Sequence, residues 1–420
     1  MSGVLALVFF VLLALSVPVA HTLVIASGAA LLADGTLPLF LVVQQMFGQT
    51  QSFPLLALPF FILAGNLMMA GRLGEALIGF ASALVGRYPG GLAATTVVGS
   101  VVFGGVSGSA VSDASALGSV LIPWQVREGY PAGFAAANNA AAATIAILIP
   151  PSIPMILYAL VSNVSVGALF LAGVLPGLML ASGFLLVCRL SAGLRGFPLA
   201  ADPPGRRRLA RRALTASPAL AMPVLVLVAL RFGIATPTEV SVMAVLYALA
   251  AGLFLYRDLT PRQIWHAMVA AGSATGVVML VIMASAAVGW IMAFVQAPQA
   301  FAAWASETLR EPWAIILAMN GIMLIAGMFI DLPAAILLLG PIFVPLAQGI
   351  GLDLVQLGVI MVLNLAIGLY TPPVGTTLFI SSTIARTSIM TTTRELWPFW
   401  LVGLSVLLLF SYVPALTIRL

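Results

Sequence analysis

Ile145-Ala146-Ile147-Leu148-Ile149-Pro150-Pro151-Ser152-Ile153-Pro154 interrupts a long apolar run with two adjacent prolines, and 222 residues later Ile367-Gly368-Leu369-Tyr370-Thr371-Pro372-Pro373-Val374-Gly375 does the same. Proline lacks an amide donor and frees the carbonyls of the preceding turn, so each run reads as a transmembrane helix broken at mid-length. The register extends on both sides without a gap. Gly99 falls on Gly321, Gly105 on Gly327, Gly118 on Gly340, Pro123 on Pro345 and Gly129 on Gly351. Glycine and proline fix where a backbone turns or breaks, so their coincidence weighs more than that of Leu or Ala. Upstream, the amphipathic stretch 72–87 overlays 294–309, beside Trp304, Glu307 and Arg310. The two halves read as copies.

The whole chain is apolar enough for a membrane. Its 420 residues are 62% hydrophobic and 7% charged, with a mean hydropathy of +1.17. A soluble domain carries about 25% charged residues, because a water-facing surface needs them. Full spans are expected near 3–18, 19–33, 53–70, 132–161, 166–188, 218–232, 238–256, 267–293, 354–385 and 396–416. Segments 91–124 and 313–348 are apolar but interrupted by Gly, Ser, Asp or Pro. Each half has roughly 15 residues, short of the ~20 that a span needs, so both read as re-entrant hairpins. The expected fold is therefore an all-α polytopic membrane protein. Residues 1–188 form the first repeat, 189–217 an Arg-rich linker and 218–420 the second repeat.

Charge sets the orientation. All seventeen basic residues are arginine, and they cluster in short loops rather than in a nucleic-acid-binding face. The most polar loop holds Arg189, Arg195, Arg206, Arg207, Arg208, Arg211 and Arg212, which places it in the cytoplasm. Counting spans outward puts Arg87, Arg127, Arg257, Arg262, Arg386 and Arg394 inside, Arg72 near the inner interface, and Arg231, Arg310 and Arg419 outside. The two hairpins then enter from opposite sides, which makes the repeat inverted. Inverted repeats with broken helices at mid-membrane are typical of secondary transporters. Met1–Ala20 has no basic residue before its apolar stretch and reads as a first span rather than a cleaved signal. The lone Cys188 has no internal disulfide partner.

Chemistry concentrates where the backbone breaks. The first hairpin tip is Gly104-Gly105-Val106-Ser107-Gly108-Ser109-Ala110-Val111-Ser112-Asp113, and the second is Gly327-Met328-Phe329-Ile330-Asp331-Leu332-Pro333. A carboxylate in mid-membrane is costly and marks a functional site by default. Hydroxyls, freed carbonyls and one carboxylate are hard oxygen ligands for a small cation such as sodium. Two tips and two breaks give two cation sites around one substrate cavity, and helix N-termini facing it suit an anion. Competing readings are packing for Ser112 and Ser115, helix capping for Asp113 and Asp331, and simple kinks for the proline pairs. Asn138 and Asn139 read equally as supporting ligands or as packing bonds. Gly105-Val106-Ser107-Gly108 matches an intramembrane serine protease string, but the available bases, His21 and His266, lie at span ends. With no lysine there is no phosphate loop of the Gly-Lys type. The chain does not read as an enzyme.

Gly105 to Asp113, Ile149-Pro150-Pro151-Ser152 and Gly368 to Gly375 closely resemble the large (M, DctM-like) subunit of tripartite ATP-independent periplasmic (TRAP) transporters. The resemblance covers nearly the whole chain. It implies an elevator mechanism, coupling to sodium ions, a small four-helix membrane subunit, a periplasmic substrate-binding protein, a small carboxylate substrate and the bacterial inner membrane. It also implies that Ser107, Ser109, Asp113 and Ser152 match a first sodium site, and Asp331, Thr371, Gly375 and Thr376 a second. Ser112 stands where the family often has Ala. With no small subunit fused at the N-terminus, that partner is expected as a separate chain. The competing transport reading is a stand-alone sodium–dicarboxylate symporter.

Overall fold

The computed structural model describes residues 1–71, 73–198, 206–309 and 311–417, and every regular element among them is helical. In chain order these are α1 (Ser2–Ala14), α2 (Val19–Asp34), α3 (Phe40–Thr50), α4 (Ala57–Ala70), α5 (Leu73–Val85), α6 (Gly91–Ser107), α7 (Ala110–Arg127), α8 (Ala132–Ala142), α9 (Ile153–Ser162) and α10 (Val166–Arg195). They continue with α11 (Arg206–Arg231), α12 (Pro237–Ala250), α13 (Pro261–Phe294), α14 (Ala297–Leu309), α15 (Pro312–Phe329), α16 (Leu332–Gly349), α17 (Leu354–Leu369), α18 (Thr376–Ile384) and α19 (Ile389–Tyr412). A 3₁₀ stretch, Ala143–Ile147, continues α8 toward the first proline pair.

Among the described residues, eight helices are long and apolar enough to cross a membrane. Of the expected full spans, α1 and α2 have only 13 and 16 residues. The expected spans 132–161 and 354–385 are each divided at their proline pair. The hairpin helices exceed the expected length. α15 and α16 have 18 residues each, so length alone does not keep them from crossing. Pro341 and Pro345 lie inside α16 and are tolerated there. The linker is also more helical than expected. α10 runs through Arg189 to Arg195 and α11 begins at Arg206, because arginine is a good helix former and favours a C-terminal turn. Arg72, Arg310 and Arg419 lie outside the described residues, as does linker segment 199–205.

Local sequence sets the ends. Ser109 caps α7, Ser152 caps α9 and Ser165 caps α10, each accepting a hydrogen bond from an amide of the first turn. Thr236 with Glu239 and Thr260 with Gln263 form reciprocal capping boxes on α12 and α13. Burial then sorts the helices. Residues 133–152 and 356–370 are buried without interruption, so both broken helices are surrounded on all sides. Around them pack α6, α7, α10, α15, α16 and α19, and α18 from the second half lies on α7 and α8 from the first. A second group joins α13 to α2, α3 and α4, and α4 to α12. Large apolar side chains such as Phe10, Leu32, Leu186 and Val277 remain exposed, as a lipid-facing surface requires.

Candidate cation and substrate site

Glycine lets the first hairpin tip press into the first break. Gly108 adopts φ 59°, and a Cβ there would meet the Pro151 carbonyl oxygen at 2.4 Å. One turn earlier, a Cβ on Gly104 would meet the Ala146 Cα at 2.4 Å. No other residue fits this approach. It brings the α6 C-terminus, the α7 N-terminus and the carbonyls before Pro150 together. Ser107 donates its hydroxyl proton to Oδ1 of Asp113, and the Ser109 amide donates to the Ser107 hydroxyl at 3.3 Å. Ser152 donates to the Ile147 carbonyl and accepts from the Met155 amide at 3.4 Å. Ser112 is exposed, and its amide rather than its hydroxyl is tied into the tip.

Asp113 is fully buried, and its second oxygen, Oδ2, has no hydrogen-bond partner among the described residues. Burying a carboxylate costs several kcal/mol unless its oxygens are satisfied. An orphan carboxylate oxygen has the chemistry to accept from a positive ligand. Helix capping does not account for Asp113, since Ser109 occupies the N-cap of α7.

The second break is tied differently. Thr371 donates to the Ile367 carbonyl at 2.6 Å, and Thr377 to the Leu369 carbonyl at 2.9 Å. Gly375 adopts φ 46°, with the Thr371 and Leu369 carbonyl oxygens 2.9 and 3.1 Å from where its Cβ would stand. Thr376 Oγ1 is buried with no hydrogen-bond partner among the described residues. Carbonyls, a glycine that admits them and an orphan hydroxyl thus share one turn. Asp331 occupies the N-cap position of α16 but makes no capping hydrogen bond. Its side chain opens instead on a cavity.

That cavity, of about 230 Å³, is where the two halves meet. The first tip supplies Gly108 and Ser109 to its wall, the second tip supplies Asp331, and Ile147 and Leu369 are the last residues before the two breaks. Ala110 and Val111 open α7, Ile153 and Pro154 open α9, and Leu332 and Pro333 open α16. Three helix N-termini, each carrying a partial positive charge, therefore end at one cavity. Of the eight residues expected to hold cations, Ser109 and Asp331 line it. Ser107, Asp113 and Ser152 stand behind its first wall, and Thr371, Gly375 and Thr376 lie along the second break outside its lining.

Asn138 and Asn139 act in packing. Asn138 donates to the Ala93 carbonyl at 2.9 Å, and its carbonyl faces Cys188 Sγ at 3.4 Å. Asn139 donates to the Ala114 carbonyl at 3.0 Å and to Ser381 Oγ at 2.9 Å, tying the halves together across 242 residues. Composition alone could not reveal that bond. Asn139→Leu is expected to lower stability by about 1–3 kcal/mol, which a thermal melt checks.

The protease reading has no geometry behind it. Ser107 gives its proton to Asp113, His266 is exposed with Nδ1 against the Arg262 carbonyl, and His21 is exposed on α2.

Comparison with known proteins agrees with this architecture. Residues 6–416 match the family described as "Tripartite ATP-independent periplasmic transporter, DctM component". The chain is 58% identical over 418 residues, and full-length on both sides, to an uncharacterized protein of Sinorhizobium fredii. It is 38% identical to the C4-dicarboxylate TRAP transporter large permease protein DctM of Pseudomonas aeruginosa, covering 90% of this chain and 88% of that one. The sialic acid TRAP transporter large permease protein SiaM of Vibrio cholerae is 35% identical, covering 97% and 96%. Among solved structures, the YdaH transporter of Alcanivorax borkumensis shares the fold, with TM-score 0.64 and 15% identity over 89% of this chain and 87% of that one. With a buried polar site between broken helices and a match over nearly its full length, the chain belongs to the DctM family of TRAP transporter large permease subunits, multi-pass membrane transport proteins rather than enzymes.

Proposed function

We propose that this chain carries out sodium-coupled uptake of a small organic carboxylate across the bacterial inner membrane, working with a small four-helix membrane subunit and a periplasmic binding protein. The observation that carries the reading is the cavity ringed by both hairpin tips and the ends of both broken helices. Converging helix N-termini favour a carboxylate there. Beside them, helix C-termini, freed carbonyls, serine and threonine hydroxyls and two carboxylates offer oxygen to sodium. The orphan oxygens of Asp113 and Thr376 lie in the first and second clusters respectively. The relatives' names include C4-dicarboxylates and sialic acid, which are carboxylates, and isethionate, which is a sulfonate, so a small organic anion is the class they share.

The inverted repeat gains support from packing. The contact of Gly104 with Ala146 in the first half has a counterpart between Gly327 and Gly368 in the second. Ala146 and Gly368 are 222 residues apart, and Gly105, next to Gly104, is 222 from Gly327. In each half a hairpin helix thus meets the broken helix one turn before its proline pair. An elevator mechanism fits the division into a hairpin-and-break group and an α2–α3–α4–α12–α13 group. In that reading the first group carries the cavity past the second.

The stand-alone symporter differs in one observable. In proteoliposomes holding this chain and its small subunit, substrate uptake under an inward sodium gradient should require the cognate binding protein. Equal uptake without the binding protein would favour the symporter.

A further inference from the structure

Outside the transport site, a cleft of about 660 Å³ lies between α5 and α11 and is lined by Tyr256 as well. Its charged lining is Arg211, Arg212 and Glu75. Arg212 lays its side chain along Gly79 and donates to the Gly79 carbonyl at 2.9 Å, using one of its five donors. The Arg211 guanidinium has no hydrogen-bond or ion-pair partner among the described residues. Glu75 is within ion-pair distance of neither arginine, since the one ion pair among the described residues joins Arg195 to Glu395. The cleft keeps a net positive charge and unspent guanidinium donors.

Its depth in the membrane follows from α11. Residues 213–230 carry no charge and lie between Arg212 and Arg231. At 1.5 Å per residue they span roughly 27 Å, close to the ~30 Å hydrocarbon thickness. Arg211 and Arg212 therefore stand at headgroup level, with Arg231 at the opposite surface. Leu214, which precedes the lining residue Thr215, and Phe254, two residues before Tyr256, are 76% and 75% exposed. A phosphodiester held by two guanidinium groups, with acyl chains lying over exposed Leu and Phe, matches both the charge and the apolar rim.

We propose that this cleft binds the headgroup of an anionic phospholipid, which fastens the amphipathic helix α5 to α11. Arginine is suited to the task because its planar donors engage phosphate oxygens in pairs. The inference does not depend on which substrate or ion the protein transports.

The test is thermal unfolding of the full chain in nanodiscs of phosphatidylcholine alone or with added phosphatidylglycerol. Phosphatidylglycerol should raise the Tm of the wild type by several degrees. The exposed double substitution Arg211→Gln with Arg212→Gln should lose most of that rise, measured from its own Tm in phosphatidylcholine, which absorbs the lost Arg212–Gly79 bond. Arg231→Gln should keep the full rise. An equal rise in the double variant overturns the proposal, as does an equal loss in Arg231→Gln, which would mean bulk surface charge. A rise reproduced in phosphatidylcholine discs by soluble glycerol 3-phosphate would make this a free-phosphate site and overturn the lipid.

Discussion

Asp113→Ala is expected to lower sodium-driven uptake by roughly 100-fold, corresponding to about 3 kcal/mol, while the protein still inserts in the membrane. Asp113 is fully buried, Ser107 satisfies one of its oxygens, and the other has no partner. In the proposed reading the carboxylate costs the fold stability without a cation and becomes its ligand with one. A charge-assisted contact of this kind contributes about 1.5–3 kcal/mol. Stability and transport should therefore move in opposite directions. In sodium-free buffer Asp113→Asn should melt no lower than the wild type, since it loses an uncompensated charge. Added sodium should raise the wild-type Tm and leave the variant where it was. If the variant melts lower without sodium and gains as much as the wild type with it, Asp113 is a packing residue.

Gly368→Val should have the largest effect on folding. A Cβ at Gly368 would stand 2.5–2.7 Å from the carbonyl carbon, Cα and carbonyl oxygen of Gly327. All three are backbone atoms, so no side chain can rotate away. The valine must force α15 off α17 beside the second break. Overpacking of a tight contact costs about 1–3 kcal/mol and occasionally more, and this site belongs at the upper end. The expected outcome is loss of a monodisperse species after solubilisation. Gly193→Ala makes the control, since nothing lies within 4 Å of its Cβ position and it sits within α10. Removing that glycine should leave the Tm unchanged or slightly raised.

Residues that control the backbone made much of this architecture readable. Pro150-Pro151 and Pro372-Pro373 marked both breaks, because a missing amide shows in the sequence itself. Gly108 and Asp331 marked the turns between paired helices for a similar reason. The helix α3 escaped notice because Gln44, Gln45, Gly48 and Gln49 dilute its hydropathy, and at 11 residues it cannot span. The ends of α10 and α11 are not legible in polarity, because a run of arginine reads as loop although it is a good helix former. The shared cavity and the Asn139–Ser381 bond depend on which helices pack together. Neighbouring residues do not record that. That Asp331 lines the cavity while Thr371, Gly375 and Thr376 do not is likewise a property of the assembled fold.

Cation dependence of uptake tests the central claim most directly. Proteoliposomes containing this chain and its small subunit would receive the loaded binding protein under an inward sodium gradient, or under equal gradients of potassium or choline. Membrane potential and pH would be held constant. The account predicts substrate accumulation with sodium alone, lost when sodium is equal on both sides. Equal accumulation with choline would contradict it, and the carboxylates at the hairpin tips would then have to be explained without a sodium ion.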